Sequence, residues 1–193
     1  FRLGAFYVRR ARRILPAFFA YIVAIGLMSS QGWLNIDLSH FIAAITQTWN
    51  YQLIWIGEPH STSGIWYFGH YWALSLEEQY YLLWPLTLIL LPRRFVPFML
   101  LCLALLMPFM RVGWYYAFPE HRGALGMFFH TASDSLMWGS LLAFLMRDPP
   151  AWLLLVTGRL RTRLFVLVAM LVVQPLAAAA WGGAWTLPFG ISL

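Results

Sequence analysis

The sequence predicts an all-α fold, a polytopic transmembrane helix bundle. Three observations carry this. Hydrophobic residues make up 61% of the 193 positions and charged residues only 10%, where a soluble domain carries about 25% charged residues. Apolar runs near the ~20 residues that a helix needs to cross a bilayer recur through the chain. Arginine clusters separate several of these runs, the pattern that the positive-inside rule produces. The length supports about five full spans, an interfacial helix and the start of a sixth. These form a single domain over residues 1–193.

In order, residues 1–13 are rich in arginine, with Arg2, Arg9, Arg10, Arg12 and Arg13, and are expected in the cytoplasm. Residues 14–29 form the first span, with Pro16 tolerable near its first turn. Residues 38–55 carry His40, Thr46, Gln47, Thr48 and Asn50. They are expected as an amphipathic helix on, or dipping into, the outer interface. Residues 57–69 read as a turn-rich outer loop. Residues 71–91 form the second span and end at Pro92-Arg93-Arg94, expected inside. Residues 95–110 form the third, with Trp114, Tyr115 and Tyr116 as an aromatic belt. After an outer loop at 119–123, residues 125–146 form the fourth span. Residues 153–163 read as an inner linker, 164–180 as the fifth span, and a sixth begins near Leu187. The chain starts at Phe1 and ends soon after that segment begins, so a piece of a longer protein is expected.

The net charge is +6 and all 13 basic residues are arginine. They flank apolar spans and form no soluble basic face, so no nucleic-acid partner is expected; the lipid bilayer is. The single Cys102 lies in an apolar run, allows no internal disulfide and reads as packing. No metal-ligand spacing appears among His40, His60, His70, His121 and His130. GxSxG, Walker, GxGxxG and HExxH motifs are absent.

Residues 70–85 carry the densest chemistry: His-Tyr-Trp-Ala-Leu-Ser-Leu-Glu-Glu-Gln-Tyr-Tyr-Leu-Leu-Trp-Pro. Ionisable groups at membrane depth cost about 2.5–3.5 kcal/mol on insertion scales, so they are rare unless they line a cavity or take part in chemistry. On a continuous helix His70 and Glu77 lie within about 20° of one face, a plausible acid–base or orienting pair. Glu78 reads more readily as a solvated neighbour. Asp134 is a second intramembrane carboxylate, followed by a small-residue stripe of Ser135, Gly139 and Ala143 suited to helix packing. Arg10 and Arg13, with Arg9 beside them, precede the first span. Arginine forks suit phosphate groups.

Residues 70–85 resemble a signature of the acyltransferase-3 family, roughly His-x-Trp-Ser-Leu-Ser-hydrophobic-Glu-x-x-Phe/Tyr-Tyr-Leu-x-x-Pro, with Ala73 where the family often has Ser. Thr131, Asp134, Leu136, Gly139 and Ala143 are similar to a second signature. They lack the arginine that the family usually has between Thr131 and Asp134, and the spacing there is one residue shorter. Arg10, Arg13 and Pro16 resemble the family's Arg-x-x-Arg-Ile/Leu-x-Pro loop. The resemblance implies an integral-membrane O-acyltransferase of the bacterial cytoplasmic membrane. Acyl-CoA, acetyl-CoA first among the candidates, is the implied donor substrate and an envelope carbohydrate the implied acceptor, with no permanently bound cofactor or metal. It implies catalytic roles for Glu77, His70 and Asp134 and donor binding by Arg10, Arg13 and Arg9. The family's catalytic His falls on a span that would precede Phe1. A transporter or flippase using Glu77 and Asp134 as proton or substrate sites is the alternative.

Overall fold

A computed structural model describes residues 3–52, 54, 62–147, 154 and 160–188, and every regular element among them is helical. The chain divides into two units, Phe1–Pro85 and Leu86–Leu193.

In the first unit, α1 (Leu3–Ser30) is a 28-residue helix, about 42 Å long at ~1.5 Å per residue. It begins eleven residues before the expected start of the first span. Arginine is a good helix former and nothing between Leu3 and Arg13 breaks the pattern, so the cationic cluster is itself helical. Gly32, at φ 77°, and the bond from the Trp33 N–H to the Met28 carbonyl terminate it in a Schellman closure. Phe18, Ile22 and Ile25 face inward, while Leu15, Phe19, Val23 and Leu27 form an exposed apolar stripe.

The expected helix over 38–55 is broken. α2 (Leu38–Ile45) stops after eight residues. The Thr46 hydroxyl donates back to the Ile42 carbonyl, Gln47 adopts φ 54°, and a 3₁₀ turn follows at Trp49–Tyr51. The chain then folds back, because Gln52 returns to hydrogen-bond His40 (Nε2 to Nδ1, 2.8 Å). The loop expected over 57–69 is helical in its described part, as α3 (Thr62–Phe68); residues 57–61 lie outside the described residues. Phe68 of α3 packs on Phe41 and stacks on His40 of α2. A Cβ at Gly64 would stand 2.2 Å from the His40 ring, so this contact requires glycine. α4 (Tyr71–Leu90) follows, with its residues up to Pro85 in this unit.

In the second unit, α5 (Val96–Ala117) runs past the expected end at Met110 and takes in Arg111. Cys102, expected in packing, is exposed on it. A 3₁₀ segment, Pro119–Ala124, follows. The expected span over 125–146 is not one helix. Its first residues form a turn, Phe128 is extended (ψ 139°), and helix begins only as α6 (Phe129–Ala132). A one-residue irregularity at Ser133 precedes α7 (Asp134–Leu145). α8 (Leu160–Trp181) covers the expected fifth span, and α9 (Gly183–Thr186) is a single turn. The expected sixth segment lies almost wholly outside the described residues.

Among the described residues two helices, α1 and α5, are long and apolar enough to cross a membrane. α4 is not among them, with Glu77, Glu78 and Gln79 in its first half.

Candidate functional site

α1 and the first part of α4 lie antiparallel. Phe18 meets Tyr71, and the Tyr21 hydroxyl donates to the Tyr67 carbonyl just before α4. At the other end, the Tyr7 hydroxyl donates to the Leu82 carbonyl at 3.2 Å. Pro85 lies in the same stretch of α4. It supplies no N–H to the Tyr81 carbonyl and disturbs the ladder beside Leu82.

This register carries Arg10 to the middle of α4. Its guanidinium forks onto Glu78, Nη2 to Oε1 at 2.8 Å and Nε to Oε2 at 3.2 Å. Glu77 Oε2 lies 3.9 Å from the same Nη2, and the guanidinium sits over the Tyr81 ring at 3.5 Å. Charge, fork geometry and ring face hold Arg10 together. Its side chain is 17% exposed, against 26% for Glu78 and 51% for Glu77.

The folded-back hairpin docks on the same stretch. Gln79 Nε2 donates to the Gln47 carbonyl (2.9 Å) and to Asn50 Oδ1 (2.9 Å), and Gln79 Oε1 accepts from Asn50 Nδ2 (3.1 Å). One amide side chain therefore satisfies the backbone at the turn and locks its tip. Under the hairpin, His40 is 1% exposed between Trp49 and Phe68. Burial holds its imidazole below the usual histidine range, against the opposing effects of Asp37 and of the Gln52 hydrogen bond.

The residues expected to form the site are distributed as follows. Arg10 meets Glu78 and Glu77. Arg9 and Arg13 are on α1 but exposed. His70 occupies the turn just before α4, which begins at Tyr71, and its ring packs against Tyr21. Glu78, read from the sequence as a solvated neighbour, is the carboxylate that holds Arg10. Gln79, Asn50 and Gln47 went unrecognised as a group because 29 and 32 residues separate Gln79 from its partners.

Asp134 belongs to the second unit, where it starts α7 and is fully buried. The family pattern's local arginine is missing, yet the carboxylate has a guanidinium: Arg111 of α5 bonds it directly. Arg111 is also fully buried and donates to the Thr131 and Pro188 carbonyls, each at 2.5 Å. An arginine between Met110 and Val112 in an apolar run was the signal for this pairing, since such a charge needs a buried partner. Among the described residues no group of three or more His, Cys, Asp or Glu side chains is arranged to hold a metal.

No protein-family model and no solved structure matches the chain. A Haemophilus influenzae protein, described as an uncharacterized protein, is 31% identical over 109 residues. The match takes in 49% of this chain and 41% of that protein, so the chain spans less than half the length of the relative it matches.

Proposed function

We propose that this chain is part of a membrane-bound O-acyltransferase. It moves an acyl group, acetyl first among the candidates, from acyl-CoA to a hydroxyl of a cell-envelope carbohydrate. The observation that carries this reading is the meeting of two sequence-remote motifs at one point. Arg10, from the Arg-x-x-Arg segment, contacts both Glu77 and Glu78 of the residue 70–85 segment. A donor bound at the first motif is thereby brought to the segment that carries the second.

In this reading α1, α4, α5, the α6–α7 segment and α8 cross a bacterial cytoplasmic membrane, with residues 1–13 inside. Non-helical backbone at membrane depth is tolerated where protein buries it or a cavity lines it, and Gln79 does this for the turn at Gln47. Arg10, Arg13 and Arg9 attract the phosphates of CoA. The acceptor hydroxyl attacks the thioester carbonyl; a C–O bond forms, the C–S bond breaks, and the hydroxyl proton ends on the departing thiolate. Glu77, the more exposed and less tightly paired carboxylate, orients or takes that proton. His70 and Asp134 remain candidates for positioning roles.

Acetyl transfer from labelled acetyl-CoA by membranes carrying full-length protein tests this. Glu77→Gln removes the charge at nearly constant size and is expected to abolish most transfer at normal expression. Wild-type turnover by that variant would refute the assignment.

A further inference from the structure

A cavity of about 730 Å³ opens within the second unit, walled by the last turn of α5, the 3₁₀ segment and α9. Arg122 is the one charged side chain among its described lining residues. The Arg122 Nε donates to the Tyr115 carbonyl at 3.0 Å, and the guanidinium lies over the Tyr115 ring, 4.2 Å from its centre. Tyr115 also lines the cavity, so both contacts hold the guanidinium at the wall. Its terminal nitrogens meet no acceptor and no carboxylate among the described residues, and the residue is exposed. Glu120, two positions away, points its carboxylate toward His121 and lines no part of the cavity. Arg111 reaches the Pro188 carbonyl at the wall but is already paired with Asp134. Arg10 is closed onto Glu78, whereas Arg122 is an oriented cation with its fork unspent. The cavity also ends an apolar stripe. Leu105, Phe109, Val112 and Tyr116 recur at helical spacing on one face of α5. Leu105 and Phe109 are exposed, and Val112 and Tyr116 line the cavity. α5 is long and apolar enough to cross a membrane, and tyrosines such as Tyr115 and Tyr116 at its end are the residues of the headgroup level.

We infer that this cavity seats the headgroup of an anionic phospholipid, with the Arg122 fork on its phosphate and an acyl chain along Phe109 and Leu105. The inference rests on the membrane setting of the proposed function and not on acyl transfer. A guanidinium fork matches two phosphate oxygens, and a pre-oriented one loses little freedom on binding. A zwitterionic headgroup fits less well, because its ammonium has no carboxylate in the described lining to meet and adds a like charge near Arg122. A soluble anion uses the fork but leaves the stripe uncovered.

Full-length protein in nonionic detergent micelles is titrated with dioleoyl phosphatidylglycerol and, separately, with dioleoyl phosphatidylcholine, and native mass spectrometry counts the lipid retained. Wild type is expected to hold phosphatidylglycerol saturably and phosphatidylcholine more weakly. Arg122→Gln should weaken phosphatidylglycerol binding about tenfold or more, the worth of a lost charge-assisted contact. Arg122→Lys, which keeps the charge and loses the fork, should weaken it less. Gly183→Leu leaves Arg122 in place and fills the cavity from α9. A Cβ at Gly183 meets no atom within 4 Å, so this variant should fold and bind weakly. Equal retention of phosphatidylglycerol by wild type and Arg122→Gln, or of the two lipids by wild type, overturns the inference. Full displacement of the lipid by millimolar inorganic phosphate also overturns it, assigning Arg122 to a soluble anion. Alkaline carbonate extraction of membranes carrying the full-length protein reads the membrane setting alone. Protein that resists extraction yet shows no lipid preference fails the inference and not the setting; protein that is released fails both.

Discussion

Arg10 closes a largely buried ion pair with Glu78 and, in the proposed function, also meets the phosphates of the donor. Each charge-assisted contact to phosphate is worth roughly 1.5–3 kcal/mol. Arg10→Ala is therefore expected to raise the acyl-CoA concentration needed for half-maximal transfer by about ten- to a hundredfold, with Arg10→Lys intermediate because it keeps the charge and loses the fork. A titration of acyl-CoA in membranes checks this; unchanged donor dependence in both variants reduces the arginine to a structural and topological role. Glu78→Gln keeps an acceptor for Arg10 and should alter donor dependence more than turnover. In the second unit, Asp134 and Arg111 are both fully buried. Removing one partner of such a pair costs about 3–5 kcal/mol. Asp134→Asn and Arg111→Met should each lower the thermal midpoint sharply, and the double variant should recover part of the loss; additive losses would show that the two charges are not coupled. At this scale the charged residues themselves were legible. Their partners were not, because Glu78 lies 68 residues from Arg10 and Asp134 lies 23 from Arg111.

The folded-back hairpin of α2, its turn and α3 depends on a few close contacts. Gly64→Ala would drive a methyl into a buried, stacked His40 ring that has no room to swing away. Overpacking of this kind typically costs about 1–3 kcal/mol, and a lowered thermal midpoint with loss of the hairpin's protection from proteolysis is expected; wild-type stability would show that α3 shifts freely. The hairpin should also respond to pH. His40 is held below its ordinary pKa by burial, so the folded state resists a proton that the unfolded chain accepts near pH ~6.5. Stability is full above that value and falls as the pH drops toward the depressed folded value. Thermal midpoints between about pH 7.5 and 5, with His40→Asn as the non-titrating reference, measure this. A wild-type profile parallel to the variant's contradicts it. The polarity of residues 38–55 sets this segment apart from the long apolar helices, and its described part forms only a short helix and a turn. The break was not legible, because the carbonyl of the left-handed Gln47 (φ 54°) is held by Gln79, 32 residues away.

For the molecule as a whole, composition made the helical class legible, and every described regular element is helical. The span count was less so. Hydrophobic runs fix where apolar surface is needed, but where a helix starts and stops also depends on backbone chemistry. α1 begins early because arginines extend helices, and the run at 125–146 starts late because its first residues turn. α1 and α5 place only 17% and 28% of their most apolar windows in the interior. Phe98, Leu105, Leu106 and Phe109 of α5 and Leu164, Phe165, Val168 and Leu171 of α8 are exposed with them. Soluble monomers rarely display apolar patches beyond a few hundred Å², and lipid is the solvent that such faces suit. The Arg10–Glu77 contact is where the proposed transfer chemistry meets this apolar setting. Its most direct test is label transfer from acetyl-CoA to envelope carbohydrate in membranes carrying full-length protein, comparing wild type with Glu77→Gln at matched expression. Transfer by the wild type and its near-complete loss in Glu77→Gln is the predicted result; transfer that is absent from the wild type, or undiminished in the variant, contradicts it.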